Sequence, residues 1–196
     1  MEKETFELIK RKHGGYASWA IWAEPGPRPK SNTGDLSVLD PDRNPSLLDV
    51  LRNDVVMMGL NLSRGFPVPF GNFHDSSPKG QDYKIRYAFA ATPYWGAYMT
   101  DLIKGLVMLK SGDVIRYCAS NPTLIEESIQ LLLQEFDDLG CGKPQVLTFG
   151  AVAHRLAVKY VPSSRYSSLI RLRHYSDYVS QETYLNRPGN PGGSFP

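Results

Sequence analysis

The feature that most limits what this chain can fold into is the alternation in its second half. Pro122 to Leu139 places Leu124, Ile125, Ile129, Leu132, Leu133 and Phe136 on one helical stripe, and Gly140 follows. Pro122 suits a first helical turn, and Glu126 and Glu127 lie towards the positive end of the helix dipole. Pro144 to Gly150 is a short apolar run that reads as a strand, and Ala151 to Tyr160 reads as a helix starting at Gly150. Ser168 to Arg173 is a further strand. Its Ile170 and Leu172 alternate with Arg171 and Arg173, so one face is half exposed and the strand belongs at a sheet edge. Strands alternating with helices predict an α/β fold, a parallel sheet covered on both faces.

The first half supplies two more strands. Val55 to Met58 is a short apolar run, read as buried, and a short helix at 46–52 precedes it. Gly96 to Lys104 reads as a strand whose end falls at Thr100-Asp101. Residues 2–12 form an amphipathic helix stopped by Gly14-Gly15. Ala17 to Ala23 reads as a strand, with Trp19, Ile21 and Ala23 on one face and Ser18, Ala20 and Trp22 on the other. Residues 24–46 and 64–82 are rich in Pro, Gly, Asn and Asp and read as loops. Helices are expected at 82–91 and 177–186, and residues 112–118 fit helix and strand equally. A single domain is expected over 1–186, with an N-terminal helix, strand and loop in 1–53 and a disordered Pro/Gly-rich tail at 187–196.

Composition narrows the function classes. A net charge of +2 over 196 residues does not announce a nucleic-acid binder, so any basic surface must be local. Cys118 and Cys141 have no metal-ligand spacing, and no metal or other cofactor is expected. No apolar run reaches transmembrane length and Met1 to Thr5 does not open a signal peptide, so a cytoplasmic protein without membrane contact is expected.

Candidate chemistry sits where strands meet loops, because open α/β sheets bind ligands beyond the carboxyl ends of their strands. Asn61, Asp101 and His174 each follow a strand, and in a parallel sheet those ends share one rim. Gly59 allows close backbone approach, and Asn61 offers both a carbonyl and an amide. The loop after Arg64 carries Phe66, Phe70, Phe73 and His74. Such aromatics either anchor the loop or wall a pocket.

In order and spacing these motifs resemble the uracil-DNA glycosylase superfamily. Gly59-Leu60-Asn61 is similar to its first motif, closest to that of the mismatch-specific uracil-DNA glycosylases. Thr100 to Lys104 is similar to Thr-Asn-Val-Val-Lys, and His174-Tyr175-Ser176 stands where members carry His-Pro-Ser. Phe73 lies at a spacing from Asn61 similar to that of their stacking Phe. The resemblance implies a three-layer α/β/α sandwich with a four-stranded parallel sheet. It also implies a DNA glycosylase that hydrolyses the N-glycosidic bond of a flipped, deaminated or mismatched base in base-excision repair, acting on single- or double-stranded DNA.

Under this resemblance His174 donates to the departing base, and the Asn61 carbonyl orients a water. Phe73 stacks on the base, with Gly59 and Asp101 beside it. Ser63, Arg64, Tyr175, Ser176 and the arginines 171 and 173 contact DNA or its phosphates. The chain departs from the pattern at Leu62, where members carry Pro, and lacks the usual wedge leucine, for which Tyr175 or Tyr178 would stand in. It also lacks the cysteines of the iron–sulfur members, and no cluster is expected. Asp101 stands where many members read uracil with Asn. An ionised Asp only accepts, which suits a base edge with an exocyclic amino group; otherwise the residue is protonated, or turns away to cap backbone. The rival readings are a non-catalytic nucleic-acid or nucleotide-binding module of this fold, and a hydrolase pairing His174 with Asp101, which lacks a nucleophile motif. For the first reading, Asn61, Phe73 and His174 must meet at a cavity the size of one base.

Overall fold

A computed structural model of the chain describes residues 1–65 and 68–177. The apolar runs and helical stripes form α1 (Lys3–His13), β1 (Ser18–Trp19), α2 (Leu47–Val50), β2 (Arg52–Leu62), α3 (Tyr83–Phe89), β3 (Ala97–Val107), α4 (Ser111–Ser120), α5 (Pro122–Leu139), β4 (Gln145–Phe149), α6 (Ala151–Tyr160) and β5 (Ser168–Leu172). Residues 112–118 resolve as helix, within α4. The helix expected at 177–186 and the tail lie outside the described residues, apart from Asp177. Among the described residues no helix is long and apolar enough to cross a membrane.

The strands make one sheet in the order β1-β3-β2-β4-β5. The pairs β3–β2, β2–β4 and β4–β5 are parallel, and β5 is an edge as its alternation predicts. The sheet has five strands rather than four and is mixed rather than wholly parallel. The added strand is β1, which pairs antiparallel with β3 through Ser18↔Met99 and Trp19↔Tyr98. Only two residues of the run 17–23 are strand, yet the face assignment holds. Trp19 and Ile21 pack in one core, Ala20 and Trp22 in the other.

The period-2 alternation of β2 divides the molecule. Val56, Met58 and Leu60 face a large core with Ile129, Leu132 and Phe136 of α5, Phe6 and Ile9 of α1, Val114 of α4 and Ala153 and Ala157 of α6. Val55 and Met57 face a smaller core built from Phe73, Phe149, Leu172 and the α3 residues Ile85, Ala88 and Phe89. On the α5 side β3 also buries a charge. Lys104 pairs with Glu135 of α5 and donates to Thr100 Oγ1 at 2.6 Å, while its backbone N–H donates to Ser128 Oγ at 3.0 Å. The opposite face, which among the described residues carries the short helix α3 and long loops, leaves room for a cavity.

Candidate active site

The β2–β3 pairing breaks next to Asn61. The register passes from Asn61↔Ile103 to Leu62↔Val107, so β3 bulges through Lys104, Gly105 and Leu106, with Gly105 at φ +68°. The Asn61 side chain fills that break. Its Nδ2 donates to Leu62 O at 2.8 Å and Met108 O at 2.8 Å, with Leu106 O at 3.3 Å. Only an amide NH2 can face three carbonyls, which fixes the orientation of the group. The atom left for other chemistry is the Asn61 carbonyl oxygen. Asn61 and Asp101 both lie inside their strands rather than beyond the ends, because β2 and β3 run on further than their apolar runs suggest.

Gly59 and Asp101 are register partners. A Cβ on Gly59 would overlap Asp101 Oδ1 and stand 3.3 Å from Phe73 Cζ. The absent side chain is therefore what admits both the carboxyl and the ring. Phe73 is held at φ +64°, a left-handed backbone that aromatic residues rarely take. Two bonds fix it: Phe73 N–H donates to Asn72 Oδ1 at 3.0 Å, and Trp22 Nε1–H donates to Phe73 O at 3.0 Å. The ring itself is 2% exposed and packs against Phe149 at 6.4 Å. His74, next in the chain, is buried between Ile21 O at 2.9 Å and Asn72 O at 3.0 Å and stacks on Trp22, so it ties the loop down.

His174 follows β5 and lies against the turn between β4 and α6. Gly150 there has φ +87° and ψ 166°, a conformation essentially confined to glycine, and a Cβ on it would stand 3.3 Å from the His174 ring. The Ser176 backbone N–H donates to His174 Nδ1 at 3.1 Å, and Ser176 Oγ lies 2.7 Å from the same atom. A backbone N–H needs an acceptor, so Nδ1 carries no proton and the neutral ring carries it on Nε2. Burial pushes the His174 pKa below its ordinary value, against the opposing pull of Asp177, which favours that neutral form. The ring stacks on Tyr175 at 4.6 Å and 20°, and Tyr175 meets Phe149 edge-on at 5.3 Å.

One cavity of about 970 Å3 gathers these groups. Gly59, Asn61, Ser63 and Arg64 from β2 and the turn after it line it, with Phe73, Asp101, His174, Tyr175 and Ser176. Arg171 and Arg173 line it as well; Phe70 and His74 do not, Phe66 and Tyr178 lie outside the described residues, and the cavity is larger than a single base needs. Arg64 forms an ion pair with Asp75, and Arg173 one with Asp177 at 3.2 Å. Ser176 directs both its N–H and its hydroxyl at His174.

The sequence reading passed over Asn72, Asp75 and Asp82, which also line the cavity. Asn72 Nδ2 donates to Asp101 Oδ2 and to Tyr16 O, both at 2.8 Å. Asp82 Oδ2 accepts from Asp75 N–H at 2.7 Å, and Asp75 in turn caps Ser77. Burial pushes Asp82 up to about 7; Asp75 and Asp101 add to this, while the Asp75 N–H bond and Arg64 oppose it. Burial likewise pushes Asp101 up to about 7, against Asn72 and Lys104. Among the described residues no three His, Cys, Asp or Glu side chains stand together in a way that could hold a metal ion. In comparisons with known proteins, no family model, no curated protein and no solved structure matches this chain.

Proposed function

We propose that this cavity takes a nucleobase turned out of a DNA strand and hydrolyses its bond to deoxyribose. The observation that carries the reading is the meeting, at one cavity, of Asn61, Phe73 and a His174 whose proton stands on Nε2. In the proposed step a water oxygen forms a bond to C1′ as the C1′–N bond breaks, and the electron pair leaves with the base. The charge gathers on a base oxygen, where the Nε2–H donates to it. Asn61, clamped through its NH2, turns its carbonyl to the water, whose proton passes to solvent or to the departing base. Phe73 supplies an apolar wall for the base. The sheet with helices and long loops on its two faces reads as a three-layer sandwich of the glycosylase type, with β1 added at one edge.

The rim favours a nucleic-acid substrate in one further respect. Leu109 is 80% exposed at the cavity mouth, beside Ser111. An exposed apolar side chain at such a rim is the type that wedges between base steps when a nucleotide leaves the stack. The cavity is lined by four basic side chains (Arg64, Lys79, Arg171, Arg173) and four aspartates (Asp75, Asp82, Asp101, Asp177). The second reading is a module of this fold that binds a nucleotide or nucleic acid without chemistry, for which Arg171 and Lys79 at the lining are the phosphate contacts.

The deciding assay incubates the protein with single- and double-stranded oligonucleotides bearing uracil, hypoxanthine, xanthine or a mismatched thymine, then cleaves with alkali. Alkali-labile sites are expected, and His174→Ala is expected to reduce their rate of formation roughly 10²- to 10³-fold, the usual cost of one transition-state donor. Release by the wild type that both His174→Ala and Asn61→Ala leave unchanged would remove these residues from the mechanism. Binding without release would establish the second reading.

A further inference from the structure

We propose that the cavity reads the edge of its base through a single atom, Asp101 Oδ1, which accepts from an exocyclic amino group when the carboxyl is ionised and donates to a carbonyl when it is neutral. The proposal rests on the nucleobase reading above and names its selectivity.

Three features converge on that atom. Asp101 is 2% exposed yet lines the cavity, and among the described residues nothing hydrogen-bonds to Oδ1. Its other oxygen is committed, since Oδ2 accepts from Asn72 Nδ2 at 2.8 Å. Asn72 cannot turn its amide over to release Oδ2, because its second N–H serves Tyr16 O and its Oδ1 holds Phe73 N–H. With Oδ2 fixed as the acceptor, a proton on the carboxyl goes to Oδ1. The missing Cβ at Gly59 is the space Oδ1 occupies, and the tip of Phe73 borders the same space. A base seated in the cavity against the tip of Phe73 therefore presents an edge to Oδ1.

The charge state is open to change near neutrality. Burial raises the carboxyl to about 7, with Asn72 from the loop and Lys104 from β3 pulling it down and Glu135 from α5 pushing it up. Asp82, across the loop before α3, is raised by the charge on Asp101, so the two carboxyls oppose each other's ionisation. β2 offers Gly59 at this point and no charge. The same pocket then prefers a deaminated, carbonyl-bearing base in mildly acidic solution and an amino-bearing base in mildly alkaline solution.

The test is calorimetric titration of the full chain with free uracil, cytosine, hypoxanthine and adenine at about pH 5.5 and about pH 8.5, either side of the carboxyl's titration. The ratio of uracil to cytosine affinity is expected to fall at least tenfold, on the order of one hydrogen bond gained or lost, between the two conditions. Asp101→Asn keeps the shape and leaves its carbonyl to Asn72. Its NH2 then stands at the reading position as a permanent donor, so the variant is expected to prefer uracil and hypoxanthine at both pH values. A wild-type ratio that does not move with pH, or a variant with the wild-type pH response, overturns the proposal while base binding stands. A folded wild type that binds none of the four bases overturns the base-binding reading and the proposal with it.

Discussion

The two faces of β3 treat buried charge in opposite ways. On the α5 side Lys104 is 5% exposed, and its ammonium meets Glu135, Thr100 Oγ1 and, at 4.8 Å, the Tyr16 ring. On the cavity side Asp101 is equally buried but has one oxygen without a hydrogen-bond partner among the described residues. Both groups have pKa values moved by burial, Lys104 downward and Asp101 upward. Burial alone therefore does not separate a structural charge from a working one. What separates them is whether the charge meets an opposite charge inside the fold, as Lys104 meets Glu135, or lines a cavity, as Asp101 does.

The largest effect expected from this contrast is on stability. Lys104→Met strands Glu135, 0% exposed, without its cation. Loss of one partner of a buried pair costs about 3–5 kcal/mol. Urea unfolding followed by circular dichroism is expected to show that loss, with the midpoint falling and the slope unchanged. Asp101→Asn, only three positions away, is expected to cost far less and to hold its midpoint at neutral pH. Equal losses from the two variants would erase the distinction between the faces.

How far the sequence exposed this contrast can be followed residue by residue. The parallel strands, the helices α5 and α6 and the edge position of β5 were legible, because each rests on a local period and an end signal. The run around Ser18–Trp19 was legible as a strand with two faces, but its place as a fifth, antiparallel strand of the sheet was not, since pairing with β3 is a long-range choice. The true lengths of β2 and β3 were hidden for a related reason. Asn61, Asp101 and Lys104 are polar, so they read as strand ends, whereas the structure buries or half-buries them within strands and supplies each with partners. That Asn61 and His174 line one cavity was legible from the order of the strands whose ends they follow. Asn72 was not, although it adjoins Phe73, because nothing local says that an Asn in a Gly/Pro-rich loop reaches across to a strand carboxylate. Asp82 resembled an ordinary helix-start aspartate. Its burial depends on the loop folding back so that the Asp75 N–H reaches it.

A middle-sized effect is expected at Gly59, where the two faces meet in one residue of β2. Gly59→Ala puts a methyl into the space of Asp101 Oδ1 and against Phe73. Overpacking of this kind costs typically about 1–3 kcal/mol. The damage is expected to be one-sided. Amide hydrogen exchange should quicken in the loop around Phe73 while the α5 side keeps its protection, and base binding should fall with it. Quickened exchange confined to α5 would mean that Gly59 serves the other core.

The effect smallest at any single step of the measurement is a slope with pH, and its sign follows from proton counts. Asp101 and Asp82 titrate near 7 in the fold against 3.8 for an ordinary carboxyl, so between those values the folded chain holds protons that the unfolded chain has released. Stability from these groups is therefore greatest at the acid end and declines as pH rises from about 4 to about 7, by at most about 1.4 kcal/mol per pH unit for each group. His74 and His174, both lowered by burial, act in the opposite sense, since below about 6.5 the unfolded chain takes up protons that the fold refuses. The raw profile mixes the two, but the difference between wild type and Asp101→Asn does not. The variant removes one carboxyl and leaves the histidines in place. Its stability relative to wild type is expected to be highest above pH 7 and to fall towards pH 4, read from urea midpoints across the range. A difference that stays flat would mean that Asp101 finds a full set of partners after all, and the contrast with Lys104 would go with it.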